Sequence, residues 1–134
     1  FKVIKALLPN LRKAKGSSIV LFSTVASNTG MPFHASIAAA KGGLQSMGLS
    51  IAAELAKAQI RVNSIAPSLT DTPLAENLLS TEAKQEASAA RHPLNKVGSA
   101  NELASMAVYL LSDQAGFITG QIFGVDGGIG RLKT

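Results

Sequence analysis

A chain of 134 residues with a formal charge of +5, 46% hydrophobic and 16% charged, has the balance of one folded domain with a modest core. The absence of cysteine excludes disulfides, thiolate catalysis and thiolate metal sites and fits a cytoplasmic setting, and no apolar run reaches membrane-spanning length. The positive charge gathers around one helix (Lys2, Lys5, Arg12, Lys13, Lys15) and in the tail (Arg131, Lys133), with no aromatic interleaved among these residues, so a solvated helix face is expected rather than a nucleic-acid or membrane surface.

Lys2 to Ala14 sets Val3, Ile4, Leu7, Leu8 and Leu11 on one stripe, which predicts a helix. Pro9 lies within it and predicts a kink, because proline has no N–H to give and its ring crowds the preceding turn. Past Gly16, Ile19 to Phe22 is a short continuous apolar run of the kind that forms a buried parallel strand. A long helix is predicted from about Ala35 to Lys57. Leu44, Met47, Gly48, Ile51 and Leu55 form its apolar face, and Ala39, Ser46, Ser50 and Ala53 form a second face of small residues. With no obviously charged side, it is expected to be covered on both faces.

Arg61 to Ala66 is the next predicted strand, stopped by Pro67. Pro73 opens a helical stretch, a polar one follows over roughly Thr81 to Ala90, and Pro93 and Gly98 punctuate the return. Ser99 and Glu102 have the spacing of a capping box, ahead of a helix with Leu103, Met106, Ala107 and Leu110 on one stripe. Phe117 to Val125 reads as the last strand, broken by Gly127, Gly128 and Gly130. This alternation predicts an α/β fold over residues 1–134, three parallel strands with flanking helices, as one domain or part of one.

In such sheets ligands sit beyond the carboxyl ends of the strands. Three segments fall there: Ser23 to Ser27, Pro67 to Pro73, and Val125 to Gly128. Their hydroxyls suit a carbonyl or phosphate oxygen, although the same residue types also build turns and helix starts. Of the two histidines, His92 beside Pro93 has no evident partner and is expected to be a loop residue. No carboxylate stands at ligand spacing to either histidine, so no metal site is expected.

Taken in order, IVLFSTVAS (Ile19 to Ser27), AAAKGG (Ala38 to Gly43), AAELAKAQIRVNSIAPSLTDTP (Ala52 to Pro73) and YLLSDQAGFITGQIFGVDGG (Tyr109 to Gly128) are similar to short-chain dehydrogenases/reductases, specifically their C-terminal half. The resemblance covers essentially the whole chain. It implies half of a doubly wound, parallel-sheet Rossmann fold, with the Gly-rich cofactor-loop half absent and the chain a fragment of a longer protein. It implies an oxidoreductase that moves a hydride between NAD or NADP and a small carbonyl or alcohol substrate. It also implies a homodimer or homotetramer through the first and middle helices, for which the small-residue face is suited.

On this resemblance Thr24, thirteen residues before Ile37, takes the position of the serine that orients the carbonyl, and Lys41 that of the lysine holding the nicotinamide ribose. Pro67, Ser68, Thr70 and Thr72 match the loop that holds the carboxamide and nearby phosphate, with Ser68 where glycine is usual. Ile37 stands where the catalytic tyrosine is expected. His34 is the nearby titratable replacement: it lies one turn before Ile37 and seven positions before Lys41, the place at which the family's enoyl-reductase branch carries its tyrosine. Imidazole is the side chain best suited to exchanging protons near neutral pH, but a residue two places after Pro32 is equally a helix-start side chain. Two functions follow. One is an atypical reductase using Thr24, Lys41 and His34. The other is a non-catalytic relative that serves as a binding or assembly subunit.

Overall fold

Parallel pairing organises the computed structural model, which describes residues 1–133. Strands β1 (Ser18–Phe22) and β2 (Arg61–Pro67) run in register from Ser18 opposite Arg61 to Phe22 opposite Ile65. On its other side β2 pairs with the last strand, β5 (Ile122–Val125), so the order is β1-β2-β5 with β2 in the centre. Every residue of β2 from Arg61 to Ala66 is buried, as a strand covered on both faces requires. Two residues each form β3 (Thr70–Asp71) and β4 (Gly98–Ser99), a separate parallel pair beside this sheet. That pair was not expected, since two residues carry no periodicity.

Helices cover both faces. On one side α1 (Lys2–Lys13) and α2 (Ala35–Leu55) pack on Val62, Ile60, Ile19 and Leu21. On the other, α4 (Ala100–Leu111) packs Leu103, Met106 and Leu110 on Ile65, Val20 and Phe123. Helix α1 continues through Pro9 as a single element. Of its predicted stripe, Ile4, Leu8 and Leu11 reach the core, while Val3 and Leu7 stay exposed. Helix α2 ends at Leu55, two residues before the predicted limit, because a tight turn over Ala56–Ala58 leads into Gln59 at φ 58°. Its small-residue face (Ala39, Ser46, Ser50, Ala53) is open in this chain rather than covered. Its other face approaches the sheet closely, since a Cβ at Gly48 would lie 2.8 Å from Leu21 Cδ1.

The last strand is shorter than its apolar run predicted. The turn over Asp113–Ala115 leaves Phe117 in solvent, and Gly120 adopts φ 70° with its amide donating to the Val62 carbonyl at 2.8 Å. Residues 118–121 are also tied to β2 by the Val62 amide on Thr119 Oγ at 3.1 Å, by the Ser64 amide on the Gln121 carbonyl at 2.8 Å, and by one buried side chain. Asn63, 1% exposed, donates from Nδ2 to the Ile118 carbonyl at 2.9 Å and accepts from the Gln121 amide at 3.1 Å. Nearby, the buried Arg61 guanidinium donates to the carbonyls of Leu110 at 2.7 Å and Ser112 at 3.0 Å. A cation at the carboxyl end of α4 meets the negative pole of the helix, which offsets its removal from water.

The predicted capping box opens α4. The Ser99 amide donates to Glu102 Oε2 at 2.9 Å, and the Glu102 amide donates to Ser99 Oγ at 3.3 Å. Lys96 pairs with the other carboxylate oxygen. The Lys96 hydrogen bond, then those from Ser99, lower the Glu102 pKa from 4.5 to about 2. A carboxyl depressed on folding contributes stability above its unfolded pKa and loses it as pH falls through the folded value. Amide exchange at the start of α4, corrected for intrinsic rates, is therefore expected to rise between pH 4.5 and about 2. Glu102→Gln should lack that step. Identical profiles in the two proteins would show that the cap does not titrate.

Candidate active site

The carboxyl rim of the sheet is built where β1 and β2 end. Past Phe22 the chain stays attached, the Ser23 amide donating to the Ile65 carbonyl at 2.7 Å. Lys41, in the second turn of α2, donates from Nζ to the Phe22 carbonyl at 2.8 Å, and Ser23 Oγ donates to the Lys41 carbonyl at 3.2 Å. Helix and strand end are thus tied in both directions. The ammonium spends one of its three N–H donors on this bond and keeps two.

Thr24 Oγ accepts from the Ala26 amide at 3.3 Å, capping the turn over Val25–Ser27, and lies 3.5 Å from the Pro67 carbonyl. The second contact is at the weak limit of a hydrogen bond, so the hydroxyl bridges the two strand ends without being committed to either. Ile37 sits one turn before Lys41 with 42% of its surface exposed and belongs to neither core cluster. No packing demand accounts for an apolar side chain there.

His34 is the residue just before α2, at φ −108°, and its carbonyl accepts from the Ala38 amide at 2.8 Å. The backbone therefore joins the helix, whereas the side chain lies one position outside the regular repeat that would align it with Ile37 and Lys41. Its Nδ1 is 2.7 Å from the Pro32 carbonyl. A carbonyl only accepts, so Nδ1 carries the proton and Nε2 is the nitrogen left for a ligand.

The Pro67 to Thr72 segment folds on itself. Thr70 Oγ donates to the Ser68 carbonyl at 3.1 Å and Thr72 Oγ to the Thr70 carbonyl at 3.4 Å. Its far side is fixed by the β3–β4 pair and by the Gly98 amide donating to the Leu69 carbonyl at 3.2 Å. The third rim segment is turned inward, for Asp126 accepts the amides of Gly128 at 2.9 Å and Gly130 at 3.0 Å.

His92 corrects an expectation. Although it lies in a turn, it is 4% exposed and has two partners, the Ser88 carbonyl at 2.9 Å from Nδ1 and Ser68 Oγ at 2.9 Å from Nε2. The only sequence signal was indirect: a serine at position 68, where the resemblance leads one to expect glycine. The structure brings Thr24, Lys41 and Pro67 to one rim and joins Ser68 to His92. It also opens an 860 Å³ cleft, which of the expected site residues includes Thr72 alone, among Asp71, Leu79, Gln85 and Lys96. A smaller, more enclosed cavity of 530 Å³ runs along the strand ends at Val25, Thr29, Ala66 and Gly124. Lys41 lines neither. The arrangement can hold ligand oxygens with an ammonium and a hydroxyl, and His34, the residue just before α2, is the titratable side chain that precedes Lys41 on that element.

A family model described as enoyl-(acyl carrier protein) reductase matches residues 1–130. The 3-oxoacyl-[acyl-carrier-protein] reductase of Thermotoga maritima is 37% identical over 129 residues, which is 96% of this chain and 52% of that protein. A protein of Xanthobacter autotrophicus named inactive 2-(S)-hydroxypropyl-CoM dehydrogenase 2 is 36% identical over 133 residues, 96% of this chain and 58% of its own length. Among solved structures, a gluconate 5-dehydrogenase from Burkholderia cenocepacia in complex with NADP and tartrate superposes with a TM-score of 0.89. That match is 27% identical and covers 98% of this chain and 51% of the other. The chain spans about half the length of the curated relatives it matches.

Proposed function

Because the chain belongs to the short-chain dehydrogenase/reductase family, we propose that the intact protein transfers a hydride between NAD or NADP and a carbonyl or alcohol substrate, with this chain supplying the Thr24–Lys41 side of the site. The observation that carries the reading is the Lys41 ammonium, held at the end of β1 by the Phe22 carbonyl at 2.8 Å with two donors to spare. A cationic group with free donors beside an uncommitted hydroxyl fits the ribose and carboxamide oxygens of a nicotinamide. Lys41 would hold the ribose hydroxyls, and Pro67, Ser68, Thr70 and Thr72 the carboxamide and nearby phosphate.

When bound, such a cofactor supplies or takes up the hydride at the substrate carbon. Thr24 gives up its 3.5 Å contact with the Pro67 carbonyl and donates to the substrate oxygen, polarising the carbonyl. The oxygen that gains charge then needs a proton. Ile37 has none to give. His34, as imidazolium, can deliver one from Nε2 while Nδ1–H remains on the Pro32 carbonyl.

A second reading is favoured by Ile37 itself. Without a positioned acid, the same rim binds a dinucleotide and serves as a binding or assembly subunit. Calorimetric titration of the intact protein with NADH and NADPH is expected to detect binding of at least one of them. Lys41→Met should weaken it about 10–100-fold, in keeping with loss of a charged hydrogen bond. Absence of binding to the wild-type protein would end the enzyme reading.

A further inference from the structure

Ser68 stands in the segment assigned to the cofactor carboxamide, and its hydroxyl is already engaged. The Nδ1 of His92 faces the Ser88 carbonyl at 2.9 Å, so it carries the ring proton. In the neutral ring Nε2 then has only a lone pair, and the hydroxyl 2.9 Å away must be the donor. The other tautomer, with the proton on Nε2, would set the Nδ1 lone pair against the Ser88 carbonyl oxygen, and a flipped ring would lose both bonds. It is also closely confined. A Cβ at Gly127 would lie 3.2 Å from His92 Cβ and 3.4 Å from Cδ2, and the adjoining turn is fixed by the Leu94 amide on the Gly127 carbonyl at 3.1 Å. The Ser88 carbonyl belongs to α3 (Glu82–Ala89), so one imidazole links that helix to the loop after β2.

We propose that His92 is a positioning residue that fixes Ser68 Oγ as a hydrogen-bond acceptor toward the cofactor. With its one proton committed to the ring, Ser68 can offer a ligand nothing but lone pairs. The partner that fits is an N–H donor, which on a nicotinamide is the carboxamide NH₂. A carbonyl or carboxylate at the same place is refused. The inference rests on the cofactor role proposed above for the Pro67 to Thr72 segment.

The test compares, by calorimetry on the intact protein, the natural dinucleotide with its 3-acetylpyridine analogue, in which a methyl replaces the NH₂. Wild type should prefer the natural cofactor. Ser68→Ala, which removes only the hydroxyl, should reduce that preference about 3–10-fold, the size of one net hydrogen bond. His92→Ile should do the same by freeing the hydroxyl to rotate and donate to the ketone. His92→Gln, which keeps an acceptor near the Nε2 position, should restore the preference, although all three variants change thermal stability to some degree. A loss of stability alone lowers the affinity for both dinucleotides together and leaves their ratio where it was. An unchanged ratio in Ser68→Ala, with normal wild-type binding, overturns this inference alone. Failure of the wild type to bind either natural cofactor overturns the inference and the proposed function together.

Discussion

Replacing Ile37 by Tyr in the intact protein is expected to raise the rate of carbonyl reduction by about 10²–10⁴-fold, the contribution of one positioned general acid. The substitution meets little structural resistance, because Ile37 is 42% exposed and holds no part of the core. Residues four apart on a helix lie one above the other, so a phenol there would stand over Lys41, whose ammonium is already fixed on the Phe22 carbonyl. That charge favours the phenolate and so adjusts the phenol for proton exchange. Turnover of NADH and NADPH against a panel of aldehydes and ketones is the measurement, paired with His34→Ala. In wild type, loss of His34 should remove the residual rate if its Nε2 is the donor; in Ile37→Tyr it should matter little. Cofactor binding without any gain from the tyrosine would show that the proton is not what the site lacks.

Asn63→Asp is expected to destabilise the fold by roughly 3–5 kcal/mol, the penalty for an uncompensated buried charge. The amide is nearly inaccessible and acts both as donor, to the Ile118 carbonyl, and as acceptor, from the Gln121 amide. A carboxylate keeps the second bond and sets an oxygen against the Ile118 carbonyl, turning the first into a repulsion. Against a total stability of about 5–15 kcal/mol for a domain of ordinary size, that is a large share. Asn63→Leu should cost a comparable amount, because it leaves both the Ile118 carbonyl and the Gln121 amide without a partner, about 1–3 kcal/mol each. Urea denaturation followed by circular dichroism measures both. A loss below about 1 kcal/mol in Asn63→Asp would mean that the other bonds of residues 118–121 to Val62 and Ser64 suffice to hold them without this amide.

These two positions also mark where sequence reasoning succeeds and where it stops. The strand of Ile19 to Phe22 is legible as an uninterrupted apolar run, and the strand opened by Arg61 is bounded by the proline that stops it. The start of α4 is legible because its cap is a contact between residues three apart. Thr24 and Lys41 are singled out by the family resemblance; in the structure the Thr24 hydroxyl lies by the Pro67 carbonyl and the Lys41 ammonium, from α2, bonds the Phe22 carbonyl. The first residue of β5 is different. The stretch before it is tied to Val62, Asn63 and Ser64, and the partners of Asn63 lie 55 and 58 residues further on, where no local pattern announces them. The His92–Ser68 bond spans 24 residues for the same reason. The β3–β4 pair is invisible because each strand is only two residues long.

One strand carries both kinds of position. At one end of β2, Arg61 and Asn63 anchor the end of α4 and the approach to β5; at the other, Pro67 and Ser68 meet the rim. Seven residues of extended chain put about 20 Å between the two ends. Substitutions further apart than about 10 Å, with no shared partners, combine additively in their effects. Durability and ligand recognition are therefore separable properties of β2. The lower end can be altered to make the protein sturdier or weaker while recognition is left alone, and the rim can be retuned for a new ligand without first reinforcing the foundation.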